Sequence, residues 1–207
     1  EYLATSFPSD TPSITWLDYT TTNRACLVEA SDAARKAPPV SLLRVTLNAE
    51  SPAYARAHIR KDVRELPAGK TQDFEKFLKA YRDEMACEGV SYDDPWFKWD
   101  NFTTDKYPQL LSNIALRFIS AACTGAKSFL PLHAVKYSDG TIMLSLTGLI
   151  ISPDAQKDAT AHFRRALPFL SSDPTLVEEI DLQILTTKER LHLERILPAQ
   201  QRDGTLC

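Results

Sequence analysis

Residues 129–151 read FLPLHAVKYSDGTIMLSLTGLII, and this stretch decides the fold class of the chain. Two runs rich in apolar and β-branched residues flank Ser138-Asp139-Gly140, a sequence typical of the turn in a β-hairpin. We predict a three-residue loop that pairs Tyr137 with Thr141, because a two-residue loop would set apolar residues against polar ones. His133 then faces Ser145 on the more polar side. The apolar side holds Leu130, Leu132, Ala134, Ile142, Leu144 and Leu146.

The segments around this hairpin predict helices and further strands. Residues 108–124 are apolar on nearly every side, so we expect a buried helix there. Serine-proline pairs and proline or glycine stops delimit most of the other elements. They are strands at about 14–19, 40–48 and 179–185, and helices at about 26–36, 51–66, 71–88, 153–167 and 186–197. Because a hairpin is antiparallel, the order predicts an α+β fold with a small mixed or antiparallel sheet packed against several helices.

Length and composition favour one folded domain. The chain has 207 residues, of which 43% are hydrophobic and 25% charged, and a chain of this size can bury a self-sufficient core. We predict an extended arm at 1–12, a single α+β domain at 13–197 and a frayed tail at 198–207. The sequence begins with Glu1 rather than methionine, so we expect a piece of a longer polypeptide.

Charge and cysteine content exclude several classes of protein. A net charge of -3 argues against a general nucleic-acid binder, which needs a strong positive field. No apolar run reaches the roughly 18 residues of a membrane span, so we expect a soluble protein without a membrane partner. The cysteines form no CxxC pair, which predicts reduced thiols and an intracellular location. They are Cys26, Cys87, Cys123 and Cys207.

Common catalytic signatures are missing from the sequence. It contains no GxxxxGK[ST], GxGxxG, HExxH or GxSxG motif and no EF-hand loop. The four histidines are far apart along the chain, so no metal site is predicted. We therefore expect no cofactor and no metal, and a role in binding or assembly rather than a recognisable catalytic activity.

An aromatic and acidic loop is the leading candidate for a binding surface. Residues 91–102 read SYDDPWFKWDNF, and such large rings cannot all stay in water without promoting aggregation. We expect part of the loop to cover the base of the buried helix and the rest of residues 92–100 to contact a protein partner. The predicted contact residues are Asp93, Asp94, Trp96 and Trp99. Asn101 begins an Asn-Phe-Thr glycosylation sequon in the same loop.

A basic stripe on the predicted helix 51–66 is a second candidate. Arg56, Arg60 and Arg64 recur at every fourth residue and therefore lie along one line of that helix. The stripe could contact a phosphate or a nucleic acid, although the net charge does not favour this function. The structural alternative is a solvated edge that pairs with nearby carboxylates.

A cysteine hydrolase is the main alternative function. Cys26 falls near the first turn of a predicted helix, where the helix dipole favours a thiolate. His133 on the polar side of the hairpin could act as its base, with Asn23 or Asp18 polarising the site, in the manner of papain-like enzymes. The structural alternatives are a buried apolar cysteine and a strand histidine hydrogen-bonded to a neighbour.

The stretch NRACLVEA around Cys26 resembles the cysteine motif of ovarian-tumour-type deubiquitinases. That motif has an aspartate three residues before the cysteine, a glycine, and Cys-Leu-aromatic. Here Asn23, Arg24 and Val28 replace the aspartate, the glycine and the aromatic residue. The resemblance implies a histidine before an aromatic residue on a late strand. His162-Phe163 is the formal match, but we predict a helix at that position.

Overall fold

The computed structural model describes residues 10–58, 71–85, 96–138, 140–167 and 173–181. They form an open, mixed sheet of five strands with five α-helices, which confirms the predicted α+β fold. Residues 1–9 of the expected arm, the predicted last helix and the 198–207 tail lie outside the described residues.

The elements follow the predicted order along the chain. The strands are β1 (Ile14–Asp18), β2 (Ser41–Asn48), β3 (Ser128–Ser138), β4 (Ile142–Ile151) and β5 (Val177–Glu179). The helices are α1 (Arg24–Lys36), α2 (Ala53–His58), α3 (Thr71–Glu84), α4 (Tyr107–Ala122) and α5 (Gln156–Ala166). A single 3-10 turn, Pro153–Ala155, precedes α5 at the predicted Ser152-Pro153 start. Strand β5 begins two residues before the predicted strand at 179–185, most of which lies outside the described residues.

The strand order across the sheet is β1-β2-β4-β3-β5. Strands β1 and β2 are parallel, with Leu17 opposite Val45, and α1 connects them as a crossover helix. Strands β2 and β4 are antiparallel, as are β3 and β4, while β5 is parallel to β3. The sheet therefore contains one β-α-β unit at its first edge, where two parallel strands end side by side.

The hairpin keeps its predicted loop length but not its predicted register. Ser138 pairs with Ile142, so the three-residue loop is 139–141, and Tyr137 lies opposite Met143 rather than Thr141. His133 consequently faces Thr147 and not Ser145. The shift is an even number of residues, so His133 stays on the predicted side of the sheet.

A β-bulge changes the predicted apolar face at the start of β3. The register shifts between Pro131 and His133, and an extra residue in one strand reverses the alternation of the residues before it. Leu130 and Leu132 therefore leave the main core, contrary to the prediction. They form a second cluster, in which the apolar side of α5 also packs. Its members are Leu130, Leu132, Leu149 and Ile151, with Leu42, Ala159 and Phe163 against them.

The main core lies between the other sheet face and two helices. Helix α4 places Leu111 and Ile114 there with no exposed surface, which confirms the predicted buried helix. Helix α1 adds Leu27 and a run of small residues that let it approach closely. None of the helices described combines the length and the apolarity that a bilayer crossing requires.

Helix α1 begins two residues before its predicted start. The Asn23 side chain accepts a hydrogen bond from the Cys26 backbone N–H at 3.1 Å and caps the helix. An N-terminal cap of this kind satisfies a backbone donor that has no partner within the helix. The helix ends at Lys36, before Pro38-Pro39, as predicted.

Candidate functional site

A cleft of about 410 Å³ opens where the parallel strands β1 and β2 end. Ligands of open α/β sheets bind in such crevices, outside the carboxyl ends of the strands. The volume lies within the range of small-molecule sites. The side chains of interest are polar ones from the strand ends and aromatic ones from the helices: Thr21, Thr22, Asn48, Glu50, Arg56, Glu84, Phe77, Tyr81 and Tyr107.

The rim of the cleft is held together by Asn48, the last residue of β2. Its amide Nδ2 donates to the Thr20 carbonyl at 3.1 Å, and its Oδ1 accepts from the Glu50 N–H at 2.9 Å. Its backbone carbonyl accepts from the Thr22 hydroxyl at 2.7 Å. These three hydrogen bonds fix four residues of the two strand ends relative to each other, so the rim is preorganised for a ligand.

Among the described residues that line the cleft, the charged groups are two carboxylates and one guanidinium. Glu50 pairs with Arg56 at 2.5 Å, and both side chains remain partly exposed, so the pair contributes at most about 1 kcal/mol to stability. The Glu84 carboxylate is exposed and has no ion-pair partner within the described part of the chain. It is therefore the acidic group of the cleft that remains available to a ligand.

The inner wall of the cleft is aromatic and uncharged. Phe77 stacks on Tyr54 with ring centroids 4.8 Å apart, and the Tyr81 and Tyr107 hydroxyls lie 3.1 Å from each other. Burial raises the pKa of Tyr107 to about 12, although its hydrogen bond with Tyr81 opposes that rise. Burial also raises the pKa of Tyr81 well above its usual range. Both phenols are therefore neutral near pH 7.

The arrangement suits a cationic ligand with a planar ring. Aromatic faces attract cations and stack with planar groups. Carboxylates accept hydrogen bonds from hydroxyl and ammonium groups. The cleft combines both features within one small volume.

Cys26 is buried, and none of the histidines in the described part of the chain hydrogen-bonds to its thiol. It is 7% exposed, and its thiol donates weakly to the Thr21 carbonyl and the Asn23 amide oxygen, at 3.4 and 3.3 Å. His133 lies on the opposite face of the sheet, where its Nε2 lies 3.2 Å from Glu178. The two side chains proposed as nucleophile and base therefore do not share a site. His162 lies on α5, on a helix as predicted.

The described part of the aromatic loop, residues 96–102, packs against the protein core. Phe97 and Phe102 are 4% and 1% exposed and belong to the same core cluster as α4. Trp96 is half-buried beneath the Arg117 guanidinium, which lies 5.2 Å from its ring, and Trp99 packs against the core. Asp93 and Asp94 lie outside the described residues. Half of the predicted contact surface thus serves to cover the core.

Only one member of the predicted arginine stripe can be placed. Arg56 lies on α2 and binds Glu50, as the structural alternative of a solvated, paired edge expects. Arg60 and Arg64 lie outside the described residues.

Apart from Arg56, sequence reasoning missed the residues of the cleft. Asn48 ends β2 and Glu50 lies just after it, and the Thr20–Thr22 run follows β1. Polar residues after two apolar strands joined by one helix are a signal for a β-α-β ligand site. The prediction treated the strands as isolated elements and did not connect their ends to one site.

Comparison with known families gives one finding. A family model described as "Putative O-methyltransferase" matches residues 1–206. No curated protein matches the sequence.

The family match corrects the predicted function. A match over almost the whole chain conflicts with a protein-binding or assembly module built on residues 92–100. It equally conflicts with a papain-like or deubiquitinase-like hydrolase using Cys26 and His133. The anion or nucleic-acid contact through Arg56, Arg60 and Arg64 stays a prediction. The error came from motif reasoning, because the absence of common signatures was taken to favour a binding role.

Proposed function

We propose that this chain, which belongs to the O-methyltransferase family matched above, transfers a methyl group to an oxygen atom of a small acceptor. The methyl donor implied by the family is S-adenosylmethionine. The sequence predicted no cofactor, and the proposal departs from that prediction.

The observation that carries the proposal is the position of the cleft. It lies at the carboxyl ends of two parallel strands that α1 connects, which is where open α/β sheets bind small ligands. At its rim, Asn48 is hydrogen-bonded to the Thr22 side chain and to the backbones of Thr20 and Glu50.

The residues of the cleft fit the chemistry of the donor. An adenine ring can stack on Phe77, and ribose hydroxyls or the ammonium group can donate to Glu50 or Glu84. Arg56 can bind the terminal carboxylate. The sulfonium cation is stabilised by aromatic faces, of which Tyr81 and Tyr107 are the nearest candidates in the inner wall.

The turn between β1 and α1 contains no glycine. Residues 19–23 read YTTTN, whereas dinucleotide sites use glycines there so that the backbone can approach a pyrophosphate. S-Adenosylmethionine carries no phosphate, so binding through side chains meets its needs. The hydroxyls of Thr21 and Thr22 line the cleft in place of a bare backbone.

Bound S-adenosylmethionine supplies an electrophilic methyl group. The chain contributes orientation, because the transfer requires the acceptor oxygen in line with that methyl group. The proton that the acceptor hydroxyl loses would pass to water at the mouth of the cleft, since the Glu84 carboxylate is engaged with the donor. The neutral Tyr81–Tyr107 pair keeps the inner wall uncharged at neutral pH.

Titration calorimetry with S-adenosylhomocysteine, the demethylated donor, tests this proposal. We expect binding to the wild-type chain and about 10-fold weaker binding to Glu84→Gln, since a charge-assisted hydrogen bond is lost. Phe77→Leu keeps an apolar side chain but removes the stacking surface, and should also weaken binding.

Glu75→Gln is the matched control for Glu84→Gln. Glu75 is exposed on the same helix α3 and does not line the cleft, so its replacement should leave the dissociation constant unchanged. Absence of binding by the wild-type chain at millimolar ligand, or equal losses for Glu75→Gln and Glu84→Gln, would contradict the proposal.

A further inference from the structure

A second cavity, of about 320 Å³, lies on the sheet face opposite α1 and α4. Its polar side chains come from the three central strands, in rows that the strand pairing fixes. Arg44 of β2 lies opposite Thr147 of β4, and Thr147 lies opposite His133 of β3. Ser145 and Tyr137 complete the polar lining, while Val135 and Ile180 are apolar. None of these residues belongs to the cleft at the strand ends.

The Arg44 guanidinium is held in place from two sides. Its Nε donates to the hydroxyl of Ser145 at 2.9 Å, and Ser145 is only 4% exposed. Its Cζ lies 5.0 Å from the centroid of the Trp16 ring. The contact with Nε leaves both terminal nitrogens of the guanidinium free to face a ligand, in the forked arrangement that binds a carboxylate through two parallel hydrogen bonds.

The neighbouring Trp16 is exposed but held by a buried group. The ring is 60% exposed, yet its Nε1 donates to the Thr46 hydroxyl at 3.0 Å, and Thr46 is 1% exposed. This hydrogen bond fixes the orientation of a side chain that is otherwise surrounded by solvent. Here the anchor fixes the platform on which the Arg44 guanidinium rests.

The charge of Arg44 is not balanced within the described part of the chain. The two carboxylates of β5 have other partners. Glu178 lies 3.2 Å from His133, and Glu179 pairs with Lys136 at 3.0 Å. No carboxylate of the described residues lies within ion-pair distance of Arg44. The cavity therefore combines one uncompensated guanidinium with hydroxyl donors and a small apolar wall.

We propose that this cavity binds a small organic carboxylate. The carboxylate accepts from the terminal nitrogens of Arg44 and from the Thr147 or Tyr137 hydroxyl, and its apolar body contacts Val135 and Ile180. A single guanidinium matches a single negative charge. A phosphate dianion carries a second negative charge, which would need a second cation beside Arg44.

Benzoate is the probe that tests the site, with benzamide as its neutral isostere and inorganic phosphate as the competing anion. We expect benzoate to shift the backbone amide signals of Val135 and Thr147 in ¹⁵N-labelled wild-type chain with millimolar affinity. Benzamide and phosphate should each bind at least 10-fold more weakly. The discrimination between benzoate and benzamide is measured on the unaltered chain and does not depend on a variant that folds.

Two variants locate the binding. Arg44→Gln should weaken benzoate binding at least 10-fold. Arg35→Gln removes an exposed arginine of α1, on the other side of the sheet, and should leave it unchanged. The proposal is overturned if benzoate does not bind, or if benzamide or phosphate binds as tightly as benzoate. It is also overturned if a well-folded Arg44→Gln chain keeps full affinity for benzoate.

The two cavities are also distinguishable by competition. Saturating S-adenosylhomocysteine should not displace benzoate, because the cleft and the carboxylate cavity share no residue. Displacement would place benzoate in the cleft and overturn this inference while leaving the proposed methyl transfer standing.

Discussion

The hydroxyl of Thr22 donates a 2.7 Å hydrogen bond to the backbone carbonyl of Asn48. Thr22 lies in the turn after β1, and Asn48 is the last residue of β2. The bond therefore joins the two parallel strands beyond the point where their own pairing ends. It therefore holds the two strand ends together at the entrance of the cleft, where β1 and β2 are no longer paired.

Replacing Thr22 with valine tests this connection. Thr22→Val keeps the shape of the side chain but removes the donor to the Asn48 carbonyl, so the free energy of unfolding should fall by about 1 kcal/mol. Affinity for S-adenosylhomocysteine should fall with it, because the rim is less well ordered. Urea denaturation and calorimetry measure the two effects.

Thr20→Val is the matched control for this change. The Thr20 side chain is exposed, and its backbone carbonyl still accepts from Asn48 after the substitution. A loss of stability as large as that of Thr22→Val would show that the hydrogen bond is not the cause.

The space at Gly148 predicts a severe effect of one methyl group. A Cβ at this position of β4 would lie 2.2 Å from Cζ of Phe129 and 2.7 Å from the Leu130 carbonyl oxygen. Gly148→Ala should therefore reduce the free energy of unfolding by about 1–3 kcal/mol, as overpacking does. Thermal and urea denaturation followed by circular dichroism measure the loss.

A double-mutant cycle separates the two contacts of Gly148. Phe129→Leu removes the ring that a Cβ would meet first, so in that background Gly148→Ala should cost less. The loss should not vanish, since the Leu130 backbone remains. An identical cost in both backgrounds would exclude the ring as the main obstacle.

The Tyr107 phenol predicts a loss of stability in alkaline solution. Its pKa is about 12 in the folded chain, mainly through burial, and 10.0 is its ordinary value. Between pH 10 and 12 the unfolded chain loses this proton while the folded chain keeps it, so the free energy of unfolding falls as pH rises. Below pH 10 the protonated Tyr107 phenol makes its full contribution to the free energy of unfolding. Up to about 3 kcal/mol of that contribution is lost by pH 12.

Tyr107→Phe isolates that contribution. The variant should start less stable at pH 8, because the Tyr81 hydroxyl loses its partner. Its stability should then decline less between pH 10 and 12 than that of the wild type. Parallel curves for the two proteins in urea denaturation would contradict the assignment, and Tyr137→Phe serves as the control for a partly exposed tyrosine.

Val40 predicts a stabilising substitution. It follows Pro38-Pro39 with a φ of 70°, a conformation that a β-branched residue adopts only with strain. Its side chain is 72% exposed, so little packing is lost on replacement. Val40→Asn should raise the free energy of unfolding by about 1 kcal/mol. Val40→Thr keeps the β-branch and should bring no gain; equal stability of the two variants would argue against backbone strain.

Much of the local structure was predictable from the sequence. The strands at Ile14–Asp18 and Ser41–Asn48 and the buried helix at Tyr107–Ala122 match their predicted positions closely. The hydrophobic pattern, the proline stops and the Asn23 cap act within a few residues of each other. Local patterns of this kind therefore suffice to predict where an element lies and whether it is a helix or a strand.

The candidate site was not predictable in the same way. Thr22, Asn48 and Glu84 are far apart along the chain and meet only because α1 brings β2 beside β1 and α3 packs across the strand ends. Motif reasoning favoured the loop at 92–100 and offered Cys26 with His133 as the alternative, and the sheet places those two residues on opposite faces. A residue's chemistry was visible in the sequence, but its neighbours were not.

By itself the sequence determined the fold class, the order of most of the described elements and the burial of helix α4, because each follows from the spacing of apolar residues along one segment. Only the tertiary structure decided the strand order, the bulge before His133 that turns Leu130 and Leu132 away from the main core, and the cleft between the strand ends. These features depend on the packing of segments distant in sequence, and packing selects among several pairings that the same local pattern allows.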